Sequence, residues 1–512
     1  MNGEIYADIT VDAFRQYRHF SRVIMQQGRV QLDRDFNEQT DILLHLLRTF
    51  TADIVGPFGG PDDGFKVVQY QKAEQAQESG RGRRARQKAA EDSPLTDVPY
   101  HFLLDSGHYY VSGILCENDH EEYVFSIPPS LRPSSEQAGT AQEGKKDEQV
   151  AYFLYLDVWE REVTYLEDPL IREVALGGPD TTTRSQVVWK VRAVKPEDTG
   201  PNPPDPNQSM DSNNIDLPTF SAAWATQLQT WKARDDGHLQ AQTIDVEQSS
   251  KEPCVVPPTS QYRGMENQLY RVEIHDATDN PDGTANSNGP TFKWSRENGA
   301  VMFSIIGPVT AGDGQSALTL TLGNLGRDDS RFGLNVDDWV EIVASEDELE
   351  GEPGALMRVQ SIEHASRQVT LVSASKNGVT VPEHALFLRR WDYHAGDPGD
   401  KQTPTIASAS GALHIVPGWL TLENGIQIQF SAKEASYKTG DYWLIPARTA
   451  TGTIEWPRHH NQPVSLPPHG VKHYYAPLAY MTLQEGKVQV NMPYDLRHTF
   501  KTLVGHLSIV SL

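Results

Sequence analysis

The sequence predicts a mainly β protein: several β-sandwich or small-barrel domains, preceded by an N-terminal hairpin and a long amphipathic helix. Three observations carry this. Turn dipeptides coincide with alternating apolar runs, most clearly at Asn424-Gly425 between Leu420, Leu422 and Ile426, Ile428, Phe430. Asn298-Gly299 likewise separates Phe292-Lys293-Trp294 from Val301-Met302-Phe303, and Glu485-Gly486 separates Met481-Thr482-Leu483 from Val488-Gln489-Val490. Near the start the period changes. Val23/Met25 and Val30/Leu32 alternate about Gly28, which reads as a hairpin, and Asp33 then offers a helix N-cap. Beyond it Phe36, Leu43 and Phe50 stand seven apart, with Leu32, Ile42, Leu46, Leu47 and Ile54 widening the stripe, as in a helix that buries one face.

Taken in order, residues 1–66 form the hairpin and helix, an assembly element. Residues 67–97 are a charged insertion, nearly free of large apolar side chains, with Arg81, Arg83, Arg84, Arg86 and Lys88 crowded together. Such a cluster is either a docking site for an acidic surface or a solvated loop, and base rates favour the loop. Residues 98–195 form a first β domain interrupted by a polar loop at 131–149. Residues 196–258 combine a Pro-rich linker with a short helix marked by Trp224, Leu228 and Trp231. A β-hairpin region follows at 259–308. An inserted small β domain at 309–395 is marked by Leu318/Leu320/Leu322, Val340/Ile342, Met357/Val359 and Val369/Leu371. Residues 396–512 make a C-terminal β domain.

Composition narrows the function. At 512 residues the chain exceeds a single core, and 45 basic against 69 acidic residues give a net charge of -24, which opposes phosphate backbones. Nucleic acid is therefore not an expected partner. The start, MNGEIYADITVD, has neither a basic nor an apolar signal region, and no apolar run reaches the roughly 20 residues of a spanning helix. The expectation is synthesis in the cytoplasm without a classical signal peptide, and no direct membrane insertion. Cys116 and Cys254 are too few for a disulfide framework and read as two small buried groups.

Motifs that could carry chemistry fail on context. Gly139 to Lys146, GTAQEGKK, has phosphate-loop glycine spacing but lacks the hydroxyl residue and lies in a polar connector. His459, His460, His469 and His473 have no accompanying cysteines, and prolines interrupt them. Asp276 to Gly289 is rich in oxygen donors without the ordered spacing of a calcium loop. Acidic pairs such as Glu160/Glu162 and Glu167/Asp168 arise by chance in an acidic chain, and there is no nucleophile elbow or metalloprotease helix. Arg184 is placed to pair with Glu167 or Asp168, or simply to face solvent. Trp159, Trp189, Trp294, Trp339 and Trp443 sit in strand-like runs, where aromatics are more often core than sugar platforms. No catalytic, cofactor-binding or metal-ligating residue is therefore assigned, and no enzymatic activity is expected.

Two stretches, MQQGRVQLDRDFNEQTDILLHLLRT and LEDPLIREVALGGPDTTTRSQVVWKVR, together resemble the signature segments of a family encoded in gene clusters for extracellular contractile injection systems and related phage-tail-like particles. GHYYVSGILCEN, LYRVEIHD with TFKWSRENGAV, and TGDYWLIPART extend the resemblance over nearly the whole chain, the basic insertion and the linkers near 140 and 205 excepted. The resemblance implies a non-enzymatic structural component at or near the baseplate and spike, contacting baseplate, spike or sheath-proximal proteins. It also implies a homo-oligomer set by the particle's symmetry, in a particle that can be released extracellularly. It supplies no catalytic residues. The alternatives are a carbohydrate-binding or carbohydrate-cleaving tail-spike-like protein and, less favoured, a delivered effector. The candidate assembly interface is Leu32, Phe36, Leu43, Leu46, Leu47, Phe50 and Ile54, which pack either on a neighbouring subunit or on the chain's own β domain.

Overall fold

The computed structural model describes residues 6–61, 63–73, 95–120, 123–132, 150–177, 180–195, 224, 237–243, 261–278, 286–311, 317–326, 331–344, 354–374, 385–394, 403–431, 436–484, 487–488 and 494–501. The Arg81–Lys88 cluster, the 139–146 glycine motif, the Pro-rich linker and Cys254 lie outside them. The described chain is mainly β, with several sheets. It divides into two units. The first comprises Met1–Asp41, Glu160–Gln186 and Ala233–Lys472, the second Ile42–Trp159, Val187–Lys232 and His473–Leu512.

In the first unit, period-two alternation makes one sheet into a partition between two unlike layers. Its central strand Gln268–Ile274 pairs with Thr291–Ser295 on one side and Tyr442–Arg448 on the other. Tyr270, Val272, Ile274, Phe292 and Trp294 join an apolar core with Leu239, Ala241, Ile426, Ile428 and Phe430 of a three-stranded sheet. The alternate residues Arg271, Glu273 and Lys293 are also buried, among other charged side chains. Asn424 and Gly425, both at positive φ, make the turn within the three-stranded sheet, where Leu420 opposes Ile428.

Asn298 and Gly299 also adopt positive φ, yet the strands they separate do not pair with each other. Thr291–Ser295 stays in the partition sheet, whereas Met302–Ser304 pairs with Ala385–Trp391. The turn is a junction between sheets and not a hairpin tip, which corrects that expectation. Past it a seven-stranded sheet runs from Met302–Ser304 through Ala385–Trp391, Trp339–Ala344, Ala355–Glu363, Gln368–Ser373 and Ala317–Thr321 to Thr310–Ala311. A bridge between Ile305 and Leu322, with Gly323 N donating to Ser304 O at 2.8 Å, brings its ends together in a partly closed barrel. The alternating runs seen in the sequence line its interior: Leu318, Leu320, Val340, Ile342, Met357, Val359, Val369 and Leu371 are all buried together. Each such side chain contributes roughly 1.5 to 3 kcal/mol relative to exposure.

In the second unit, strands Val150–Val163 and Tyr474–Gln484 pair antiparallel, Val158 opposite Tyr474 and Val150 opposite Leu483. Leu154, Leu156, Val158, Leu478 and Met481 from this pair meet Phe102, Leu104, Tyr109, Val111 and the free Cys116 in one core. Burial pushes the Cys116 thiol far above its ordinary range, so it is a packing group without thiolate character.

The N-terminal part departs from expectation in two ways. No strand forms between residues 21 and 32, where a hairpin was expected. Only a turn at Gln27-Gly28 remains, and Val23 N donates instead to the Gln39 side chain at 2.8 Å. A lone hairpin with no sheet beside it is marginal. One helix, α1 (Asp33–Val55, 23 residues), does follow, but the expected burial of its apolar stripe is not met, since Ile42 is its only buried residue. Asp33 opens the helix, and its carboxylate accepts from Thr10 N (2.8 Å) and Thr10 Oγ1 (2.6 Å), fastening the preceding segment. Burial would raise its pKa, but the Thr10 hydrogen bonds leave it lowered.

Within the second unit the helix backbone at Arg48 lies against Gly113, where an added Cβ would collide with the Arg48 carbonyl, and Gly113 sits at φ 80°. Gly113→Ala is therefore expected to destabilise this unit by about 1 to 3 kcal/mol, read as a lowered denaturation midpoint at unchanged slope.

Candidate functional site

A helix advances about 100° per residue, so Phe36, Leu43, Leu47, Phe50 and Ile54 form one narrow stripe, with Leu46 along its edge. All six are exposed, Leu47, Phe50 and Ile54 by 61, 64 and 67%, as is Leu32 just before the helix. The candidate interface residues thus lie together on one face of α1, in solvent. Among the less exposed positions, Asp41, Ile42, His45, Arg48, Ala52 and Val55 share the other side. The helix turns a largely polar face inward and its apolar face outward, the reverse of a helix that serves a core. Other large apolar groups are exposed nearby in sequence, including Tyr17, Phe20, Ile24 and Val30. The same holds for Leu170, Val174 and Leu176, on two short 3-10 turns whose first amides are capped by the Asp168 and Glu173 carboxylates.

What fixes the segment leading to α1 is a buried charge layer in the first unit. Glu273 accepts from Arg271 Nε at 2.5 Å and pairs with Lys293 at 3.1 Å. Lys293 also bonds Glu341 at 2.7 Å, and Trp391 Nε1 donates to Glu341 at 2.9 Å. Burial alone would push the Glu273 carboxyl up, but Lys293 and Arg271 outweigh it and hold it at about 2. Tyr6 enters this layer. Its ring is stacked by the guanidinium groups of Arg271 at 4.0 Å and Arg389 at 3.4 Å, its hydroxyl donates to Glu273 at 3.1 Å, and its amide donates to Glu162. Asn298 Nδ2 donates to Ala7 O at 2.9 Å, and Arg448 to Thr10 O at 3.2 Å. The N-terminal segment is therefore clamped by its first described residue, while the stripe that follows it is bare.

The residues weighed for chemistry go to separate places. His459 and His460 are exposed on a hairpin of two-residue strands, His469 is half-buried and stacked on Tyr442, and His473 bonds Asp157 at 2.6 Å. Among the described residues no three metal-ligating groups converge. Glu167 pairs with Arg161 at 2.5 Å, while Arg184 bonds Thr182 Oγ1 and Thr183 O, so Arg184 pairs with neither Glu167 nor Asp168 in the bonds observed. Trp159, Trp294, Trp339 and Trp443 are buried. A polar cavity of about 340 Å³ is lined by Asp8, Thr10, Asp33, Glu297, Asn298, Arg331 and Arg448 among others. Burial and the Asp8 charge push the Glu297 carboxyl up to about 7, yet both its oxygens accept from Arg331, at 2.6 and 3.1 Å. Held in this way, Glu297 is a strut between two turns and not a free base.

Sequence reasoning missed the charge layer. Alternation in YRVEI and TFKWS normally places Arg271, Glu273 and Lys293 in water. The available signal was opposite charges on successive same-face positions of neighbouring strands, with aromatics close by.

No curated protein and no solved structure matches the chain. One family pattern does, over residues 1–217 and 219–486, nearly the whole length. By that match the chain belongs to the Family of unknown function (DUF6519).

Proposed function

We propose that this protein is a non-enzymatic structural component of a contractile injection system or phage-tail-like particle, associated with its baseplate or spike. It acts by contacts with other particle proteins, through sandwich and small-barrel modules that carry the N-terminal helix as an assembly element. The observation that supports this reading is the outward apolar stripe of α1, a surface that costs solubility unless another protein covers it. The resemblance of its flanking segments to the injection-system family supplies the setting. Burial of Trp159, Trp294, Trp339 and Trp443 weighs against the sugar-binding alternative, which needs exposed platforms. The test is purification of intact particles from the native host followed by mass spectrometry. The protein is expected at a fixed ratio to the sheath and baseplate subunits, and consistent absence from intact particles overturns the reading.

A further inference from the structure

The stripe on α1 has the spacing of a helix-to-helix seam. Phe36, Leu43 and Phe50 recur every seven residues, and Leu47 and Ile54 each follow the preceding one by four, which assigns them to the d and a positions of a heptad. Thr40 takes the remaining a position between Phe36 and Leu43. Such a seam is completed by another helix, because only a helix offers holes at the matching interval. Among the described residues α1 is the one α-helix of the chain with a run of several turns, so no described segment of the same molecule supplies the complement.

We propose that the stripe is covered by α1 of a second copy of this chain, the helices of neighbouring copies packing side by side along Phe36, Leu43, Leu47, Phe50 and Ile54. This deepens the structural reading above and rests on it for its setting. Charge permits a copy as the occupant at this surface in particular. A chain of net charge -24 repels its own copies over most of its surface. The positions flanking the seam, Asn37, Gln39, Leu44, Leu46 and Thr51, carry no charge; the exceptions are Asp53 at one end and, at the other, Asp33, which takes the first a position and is bonded to Thr10. Two copies can therefore meet from Phe36 to Phe50 without like charges opposed along the seam. Area points the same way: the exposed parts of these five side chains with Leu32, Leu44 and Leu46 offer on the order of 600 to 800 Å², close to one side of a standard interface. Rotational symmetry brings the same patch from each copy to a common axis, so a single surface completes the assembly.

The experiment uses the full chain, with light scattering after size exclusion over a concentration series, together with thermal melting. The wild type is expected to run as an oligomer. Leu43→Asp and Phe50→Asp, on the seam, are expected to shift it to the monomer mass with an unchanged melting temperature of the dissociated chain. Thr49→Asp, exposed but off the seam, is expected to leave the oligomer intact. A wild type that stays monomeric at every concentration overturns the proposal, as does an oligomer that survives both seam variants or a seam variant that unfolds the monomer. A monomeric wild type that is nonetheless found in purified particles assigns the stripe to a different particle protein and leaves the structural reading standing. An oligomeric wild type absent from particles does the opposite.

Discussion

Lys293→Met is expected to remove about 3 to 5 kcal/mol from the stability of the first unit, the scale of breaking a buried ion pair from one side. Lys293 lies between Glu273 and Glu341, both almost fully buried, and is ion-paired with each, while Arg389 acts on both from farther away. Without it two carboxylates face each other in the interior. Arg271 still serves Glu273, but Glu341 keeps only neutral donors among its observed direct bonds, from Trp391 Nε1 and Gly354 N. The charge-bearing form of Glu341 then becomes costly and its carboxyl should take up a proton on folding. The sign follows. In the wild type both carboxyls are held below their usual value, so their contribution is present above pH 4.5 and fades as pH falls through the folded value, about 2 for Glu273. In the variant at least one is raised instead, and the defect should be smaller at pH 5 than at pH 7.5. Chemical denaturation of both proteins at the two pH values measures this. A loss under about 1 kcal/mol at pH 7.5 would show that Lys293 is not the cation holding the layer together.

Two histidines should each withdraw stability from the first unit toward acid pH, beginning above the range where carboxylates usually titrate. His275 is buried and His469 half-buried, and desolvation pushes both imidazoles down to about 4, with the Lys293 charge adding to the effect at His275. Each is neutral when folded and takes up a proton when unfolded. Their contribution is complete above about pH 6.5 and is lost as pH falls toward 4. For each imidazole it amounts to roughly 1.4 kcal/mol for every tenfold by which the unfolded chain binds the proton more tightly than the folded one. Glu297 acts in the opposite sense. Its raised carboxyl binds a proton more readily when folded, so it favours the folded state at acid pH and loses that effect as pH rises from 4.5 through about 7. Burial also raises the Glu162, Asp180, Asp338 and Glu423 carboxyls of this unit, so the histidines are read by difference: between pH 7 and pH 4.5 the wild type is expected to lose more stability, read as melting temperature, than a variant that lacks one of them. His469→Gln, which keeps a polar side chain but cannot titrate, should remove part of that loss. The same pH dependence in wild type and variant would sink the assignment of His469 as a neutral imidazole in the folded chain.

Much of the β architecture was legible because side-chain period and turn chemistry agree locally. Leu318/Leu320, Val340/Ile342, Met357/Val359 and Val369/Leu371 alternate in the sequence and line one interior in the fold. Asn424-Gly425 turns a hairpin as its dihedral preference dictates. Asn298-Gly299 has the same preference and the same positive φ, yet its flanking strands go to different sheets. A turn dipeptide specifies a change of direction, whereas pairing depends on strands far away in sequence, such as Ala385–Trp391. The helix shows a similar division. Its extent follows from apolar spacing, but which face it turns inward depends on contacts such as Arg48 against Gly113 that no local pattern records. The charge layer was hidden for the same reason, since its cover comes from Tyr6, Glu341, Arg389 and Trp391, scattered over nearly the whole chain.

The pairing of Val150–Val163 with Tyr474–Gln484 also sets a timetable for the ribosome. Residue 158 leaves the exit tunnel while its partner at 474 is still about 316 codons away, which at 5 to 20 residues per second is roughly 15 to 60 s. Throughout that interval one edge of a long apolar strand waits unpaired, the other being taken by Arg184–Val194. Tyr6 waits in the same way for Arg389. Completion of both units is therefore a late event in translation. A cell making this protein needs holdase capacity in proportion to its synthesis rate, and slowing translation upstream of residue 474 should lengthen the exposed interval and lower the soluble yield.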